Sequence, residues 1–122
     1  MMAEQWLENY EVELDQAVTA RQKGKEGMAR VCARRAAGWV VGEYLNRRGI
    51  IYTNPSAYER LKFLEQLPDV PNEIKQVTAH FILRINPDHE LPINVDLIQE
   101  AIWLKAALLD RPAEPNGDPA ST

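Results

Sequence analysis

The sequence predicts an all-α fold, a compact up-down bundle of about five helices forming a single domain over residues 1–110. Three observations carry this. Apolar residues recur at three- and four-residue spacing in every long segment, and Gly and Pro clusters cut the chain between those segments. No stretch alternates apolar and polar residues for long enough to make a strand, "GIIY" (49–52) being the nearest approach. With 45% hydrophobic and 26% charged residues, the composition is that of an ordinary globular domain with one core.

Residues 3–22 read as an amphipathic helix. Trp6, Leu7, Tyr10, Leu14, Ala17 and Val18 fall on one face, and Glu4, Glu8, Glu11 and Asp15 gather on the opposite one. "KGKEG" (23–27) is a turn. The second helix, "MARVCARRAAGWVVGEYLNR" (28–47), is apolar on nearly all sides. Ala29, Ala33, Ala36, Ala37, Val40 and Tyr44 form one stripe, while Val31, Gly38, Trp39, Gly42 and Leu45 cover most of the rest. Such a helix belongs at the centre of a bundle. Gly38 and Gly42 would each cost about 1 kcal/mol relative to Ala in an exposed helix, so their missing side chains point to close packing.

Gly49 suits the position just past that helix, and Arg47 and Arg48 suit its negative end. Ser56-Ala57-Tyr58-Glu59 has the form of a capping box, which predicts a short helix over 57–67 with Tyr58, Leu61, Leu64 and Leu67 inward. Pro68 and Pro71 break the chain. A fourth helix is expected over 72–85, burying Ile74, Val77, Thr78, Phe81 and Ile85, and "NPDHELP" (86–92) is a loop. Asn94 is expected to cap a last helix over 95–110 that carries two apolar stripes: Leu97, Ala101, Leu104 and Leu108, and beside them Ile98, Ile102 and Leu109. An edge helix needs only one stripe. Ile98, Ile102 and Leu109 are therefore expected at a contact with a second copy, in a homodimer. Residues 111–122, rich in proline and without a large apolar side chain, read as a disordered tail.

The net charge of −4 conceals a basic centre: residues 21–48 carry a local +6, flanked by acidic segments. No apolar run is long enough for a bilayer, and "MMAEQWLENYEVELD" lacks the layout of a secretory signal. Cys32, the only cysteine, sits among small apolar residues and reads as core, which fits a reducing cytoplasm. Glycine-rich phosphate loops, HExxH, CxxC, EF-hand and GxSxG patterns are all missing, so no metal and no cofactor is expected.

Three constellations remain. Arg30 and Arg34 share a side of the second helix and Arg35 points elsewhere; they fit either ion pairs with acids such as Glu13 or Glu43, or contacts to phosphate. Glu73, His80 and Arg84 fall on the polar face of the fourth helix, with His89 shortly after, and histidine next to arginine suits proton transfer beside a phosphodiester. Trp39, Trp103, Tyr44 and Tyr52 read mainly as core, although aromatics near arginines also stack bases.

An aromatic-led first helix, "WLENYEVELDQA", then a glycine turn, then the alanine-rich "ARRAAGWVVGEYLNRRG" and shorter helices resemble the HEPN superfamily over about residues 3–110. The resemblance implies a dimerising helical bundle of bacterial or archaeal type, acting as an RNA-cleaving toxin or beside a partner protein such as a nucleotidyltransferase. Arg84-Ile85-Asn86-Pro87-Asp88-His89 has the Arg-to-His spacing of the ribonuclease branch. It would make Arg84 the phosphate contact and His89 the proton-transfer group of a metal-independent reaction. The expected function is a non-catalytic interaction module that dimerises or binds a partner protein. The alternatives are the ribonuclease, using Arg84 and His89, and a nucleotide- or RNA-binding subunit using Arg30, Arg34 and Arg35.

Overall fold

The computed structural model describes residues 4–83 and 94–110. Among them the chain forms five α-helices and no strand: α1 (Gln5–Gln22), α2 (Glu26–Arg47), α3 (Ala57–Gln66), α4 (Asn72–Phe81) and α5 (Leu97–Lys105), the last continued by a single π-helical turn, Ala106–Asp110. The expected tail over 111–122 lies outside the described residues, as do Arg84, Ile85 and His89.

The α1–α2 hairpin is the framework, and α2 is its centre: α1, α3 and α5 all pack on it, while α4 bridges α3 and α5. Ala29, Ala33, Ala36, Ala37, Val40 and Val41 are fully buried. Small side chains along this helix let its neighbours come close on several sides at once. Leu61 and Leu64 from α3 and Leu104 from α5 fill the remaining space, each stabilising the bundle by about 1.5–3 kcal/mol through burial. Cys32 lies in this core at 2% exposure, as its neighbours implied. No helix of the described residues is long and apolar enough to cross a membrane.

Both helices of the hairpin end in the same way. Gly24 (φ 75°) and Gly49 (φ 71°) adopt the left-handed conformation that glycine accepts without a Cβ clash. The Gly24 N–H donates to the Arg21 carbonyl and the Lys25 N–H to that of Ala20; Gly49 and Ile50 repeat the pattern onto Asn46 and Leu45. Ser56 caps α3 as expected, with the Glu59 N–H donating to Ser56 Oγ at 3.2 Å, but the box is not reciprocal, because the Ser56 N–H donates to Asn54 Oδ1 at 3.0 Å.

Five expectations change. Val18 is exposed rather than inward, because the buried arc of α1 is centred on Tyr10, Ala17 and Ala20, and Val18 lies at its margin. The second helix begins at Glu26, so Gly27 is inside its first turn. The fourth helix ends at Phe81, four residues short of the expected 85. Asp96, not Asn94, caps the last helix: its Oδ1 accepts from the N–H groups of Ile98 and Gln99 at 3.0 and 3.3 Å. The second apolar stripe of α5 also divides. Ile98 and Leu109 are buried within the chain itself, and only Ile102, 43% exposed, is left on the surface.

Candidate functional site

The side chains with chemistry to offer lie in two concavities. One is a groove of about 620 Å³ between α4 and α5, lined by Glu73, Gln76, Val77 and His80 from α4 and by Gln99, Glu100 and Trp103 from α5. His80 Nδ1 lies 2.7 Å from Glu100 Oε1, within hydrogen-bond distance, the carboxylate oxygen accepting when the ring proton is on Nδ1. The pair spans the floor of the groove and ties the two helices together. Glu73 and His80 thus share one wall, as their spacing on the fourth helix predicts. Glu100, twenty positions further along the chain, has no local signal that would have joined it to them. The groove holds an oriented histidine but no Ser, Thr or Cys nucleophile among its lining residues, and Thr78 turns its hydroxyl into the core to donate to the Ile74 carbonyl at 2.8 Å. Arg84 and His89 lie outside the described residues, and nothing in this groove stands in for them.

The other is a cavity of about 300 Å³ where α1, α2 and the start of α3 meet. Arg35 lines it; Arg30 and Arg34 do not, lying instead beside Phe81, Leu83 and Leu97 on another side of α2. The split between Arg35 and the other two is the one their helical positions imply.

Of their expected acid partners, Glu43 is engaged elsewhere and Glu13 meets no cation at ion-pair distance among the described residues. Glu43 Oε2 accepts from Arg47 Nε at 2.8 Å, and Glu13 has one buried oxygen that no donor reaches. Among the described residues Arg30, Arg34 and Arg35 meet no carboxylate at ion-pair distance. The reading that these arginines satisfy Glu13 or Glu43 is therefore corrected: Glu43 is taken by Arg47, one turn along its own helix, and none of the three guanidiniums comes within ion-pair distance of Glu13.

Arg60, which the sequence did not single out, is the best-seated cation of the cavity. Its Nε donates to the Asn54 carbonyl at 3.0 Å and its Nη1 to that of Gly38 at 3.3 Å. Its guanidinium lies over the Trp39 ring, 5.7 Å from the centroid. Burial pushes its pKa down, with the Tyr52 phenol opposing. The signal for this seat was present in Gly38 and Gly42. A Cβ on Gly42 would come within 2.6 Å of Arg60 Nη1, and one on Gly38 within 2.5 Å of the Ala57 Cβ. The two glycines admit, respectively, a guanidinium and a helix backbone.

The aromatic side chains behave mainly as core margin. Trp39, Tyr44, Tyr52 and Trp103 are partly buried against the cluster, and Tyr52 stacks on Phe63 with centroids 4.2 Å apart. Tyr44 accepts from Arg48 at 2.8 Å and lies beneath its guanidinium. Among the described residues no group of three or more His, Cys, Asp and Glu side chains converges to hold a metal ion. No protein-family model, curated protein or solved structure matches the chain.

Proposed function

We propose that the chain is a non-catalytic helical interaction module of the HEPN-like type its helix order resembles, and that it forms a homodimer through the outer face of α4 and α5. One observation carries this reading. Ile102 is 43% exposed, adjacent to the partly buried Trp103, which lines a broad groove opposite Val77. With Ile98 and Leu109 buried in the chain itself, the apolar surface left for a partner is Ile102 together with Val77 and Trp103 of the groove. A twofold contact would place each copy's α5 in or beside the other's groove, with apolar side chains at the centre and Gln76, Gln99 and Glu73 as a polar rim.

Analytical ultracentrifugation tests it. The wild type is expected to sediment as a dimer, and Ile102→Glu as a monomer with an unchanged helical circular-dichroism spectrum. A wild type that is monomeric at about 100 μM, or an Ile102→Glu that stays dimeric, removes this face from consideration.

A second reading, RNA or nucleotide binding at Arg30 and Arg34, is favoured by the lack of any acid partner for either guanidinium among the described residues. Two guanidiniums one turn apart can contact successive phosphates, and such binding weakens steeply with salt.

A further inference from the structure

The cavity between α1, α2 and α3 holds unmatched charge of both signs. Arg60 is fixed by two backbone carbonyls, the Trp39 ring and the space left by Gly42, yet its Nη2 has no protein acceptor and no carboxylate lies within ion-pair distance among the described residues. Arg35 lines the same space, exposed and likewise without an acid. Glu13, half-buried, also lines it, with its Oε1 sealed from solvent and no donor to that oxygen among the described residues. A sealed carboxylate oxygen without a donor costs free energy, and a half-buried guanidinium with an unfilled N–H edge favours an anion beside it. The three groups line one cavity, and no ion pair joins them among the described residues.

We propose that this cavity binds a small amino dicarboxylate, of the kind represented by free glutamate or aspartate. The two guanidiniums take one carboxylate each, the ligand's ammonium meets the Glu13 carboxylate, and the Trp39 face covers its methylene chain. The charges match in number and sign: two cations and one anion on the wall face two anions and one cation on the ligand. A phosphate or a simple dicarboxylate would leave Glu13 unmatched and repelled, and a monoamine would leave both arginines unmatched. The volume of about 300 Å³ sits at the small end of ligand pockets, which fits a metabolite and not a polymer. Arg60 is already held in place, so binding does not have to order it. The inference is independent of the dimer proposed above, which uses another face.

Isothermal titration calorimetry on the full chain decides it. L-glutamate or L-aspartate is expected to bind, with glutarate (no ammonium), 4-aminobutyrate (one carboxylate) and inorganic phosphate each weaker by about tenfold or more, the worth of a single charge-assisted contact. Glu13→Gln and Arg60→Gln should each weaken glutamate binding by about the same factor. Arg35→Gln, at an exposed position that leaves the fold intact, should do so with an unchanged melting temperature. No heat with either amino acid at millimolar concentration overturns the proposal. So does glutarate or phosphate binding as tightly as glutamate, or an Arg35→Gln variant that binds as well as the wild type.

Discussion

Arginines at the ends of α1 and α2 and arginines along the middle of α2 live in opposite circumstances. Arg21, at the end of α1, donates to Glu26 at 2.7 Å and to both oxygens of Asp96 at 3.0 Å, so it closes the hairpin turn and reaches the cap of α5 as well. Arg47 pairs with Glu43 and, at 3.3 Å, with the Leu109 carbonyl in the π-helical turn; Arg48 pairs with Asp69. Each of these joins elements that the chain has already brought close. Arg34 and Arg35, by contrast, lie beside apolar side chains or in a cavity whose acid stops short, and Arg30, one turn past Glu26, acts on that carboxylate without forming an ion pair. Helix ends gather acids and turns, so a cation there finds a partner cheaply. Mid-helix arginines on a buried helix are left for whatever approaches from outside.

The largest expected effect strikes the packing that defines the middle of α2. Gly38→Leu forces a Cβ to within 2.5 Å of the Ala57 Cβ and 2.8 Å of its Cα, so the start of α3 must move away. Urea unfolding should show a loss of about 1–3 kcal/mol or more. If it does not, α3 is not seated on α2 as described.

Arg21→Ala tests the helix-end class and should cost less, about 0.5–1 kcal/mol near neutral pH, because its pairs are more than a third exposed. It should also change the acid response. The hydrogen bond from Arg21 holds the Glu26 carboxylate below its usual range, against the opposing pull of burial. A depressed carboxylate contributes stability that is fully present above its unfolded value of ~4.3 and is lost as pH falls through the lower folded value. The difference between wild type and Arg21→Ala should therefore vanish under acid conditions; a constant difference from pH 7 down to about pH 2 would show that the pair is not what Arg21 contributes.

The smallest effect is expected for Arg34→Ala, within about 0.5 kcal/mol of the wild type, since no acid is left stranded. A loss of several kcal/mol would mean that the mid-helix arginines are paired after all. If the stability holds while the salt dependence of RNA binding falls by about one phosphate contact, the second functional reading gains its arginine.

Much of the fold was legible because its signals are local. The 3.6 period of α1 and α2, Gly49 just past Arg48, and Ser56 as the cap of α3 each act within a few residues, and the structure keeps them all. The ends of α4 and α5 were not. Periodicity runs on through Ile85, and the proline at 87 restricts the backbone only from 86, so nothing local says that α4 stops at Phe81. Asn94 and Asp96 are both competent caps; Asp96 is also held by Arg21, seventy-five positions away. The candidate sites were less legible still. His80 was visible as a polar-face histidine, but Glu100 becomes its neighbour only when α4 and α5 pack. Arg60 carries no local signal that sets it apart from the other cations of the chain. It became a seated guanidinium only because Gly42, on another helix, left room for it.

The burial of Cys32 has a practical side. Burial pushes its thiol pKa up, the Glu13 charge adds to that, and only 2% of the residue is exposed, so the folded chain offers an alkylating reagent almost no thiolate. It is also the sole thiol in the sequence. Every molecule that reacts must first have parted α1 from α2, which makes the chain its own clock. The rate at which iodoacetamide labels it, read by intact mass, counts openings of the central hairpin one molecule at a time, with no probe added and no residue changed.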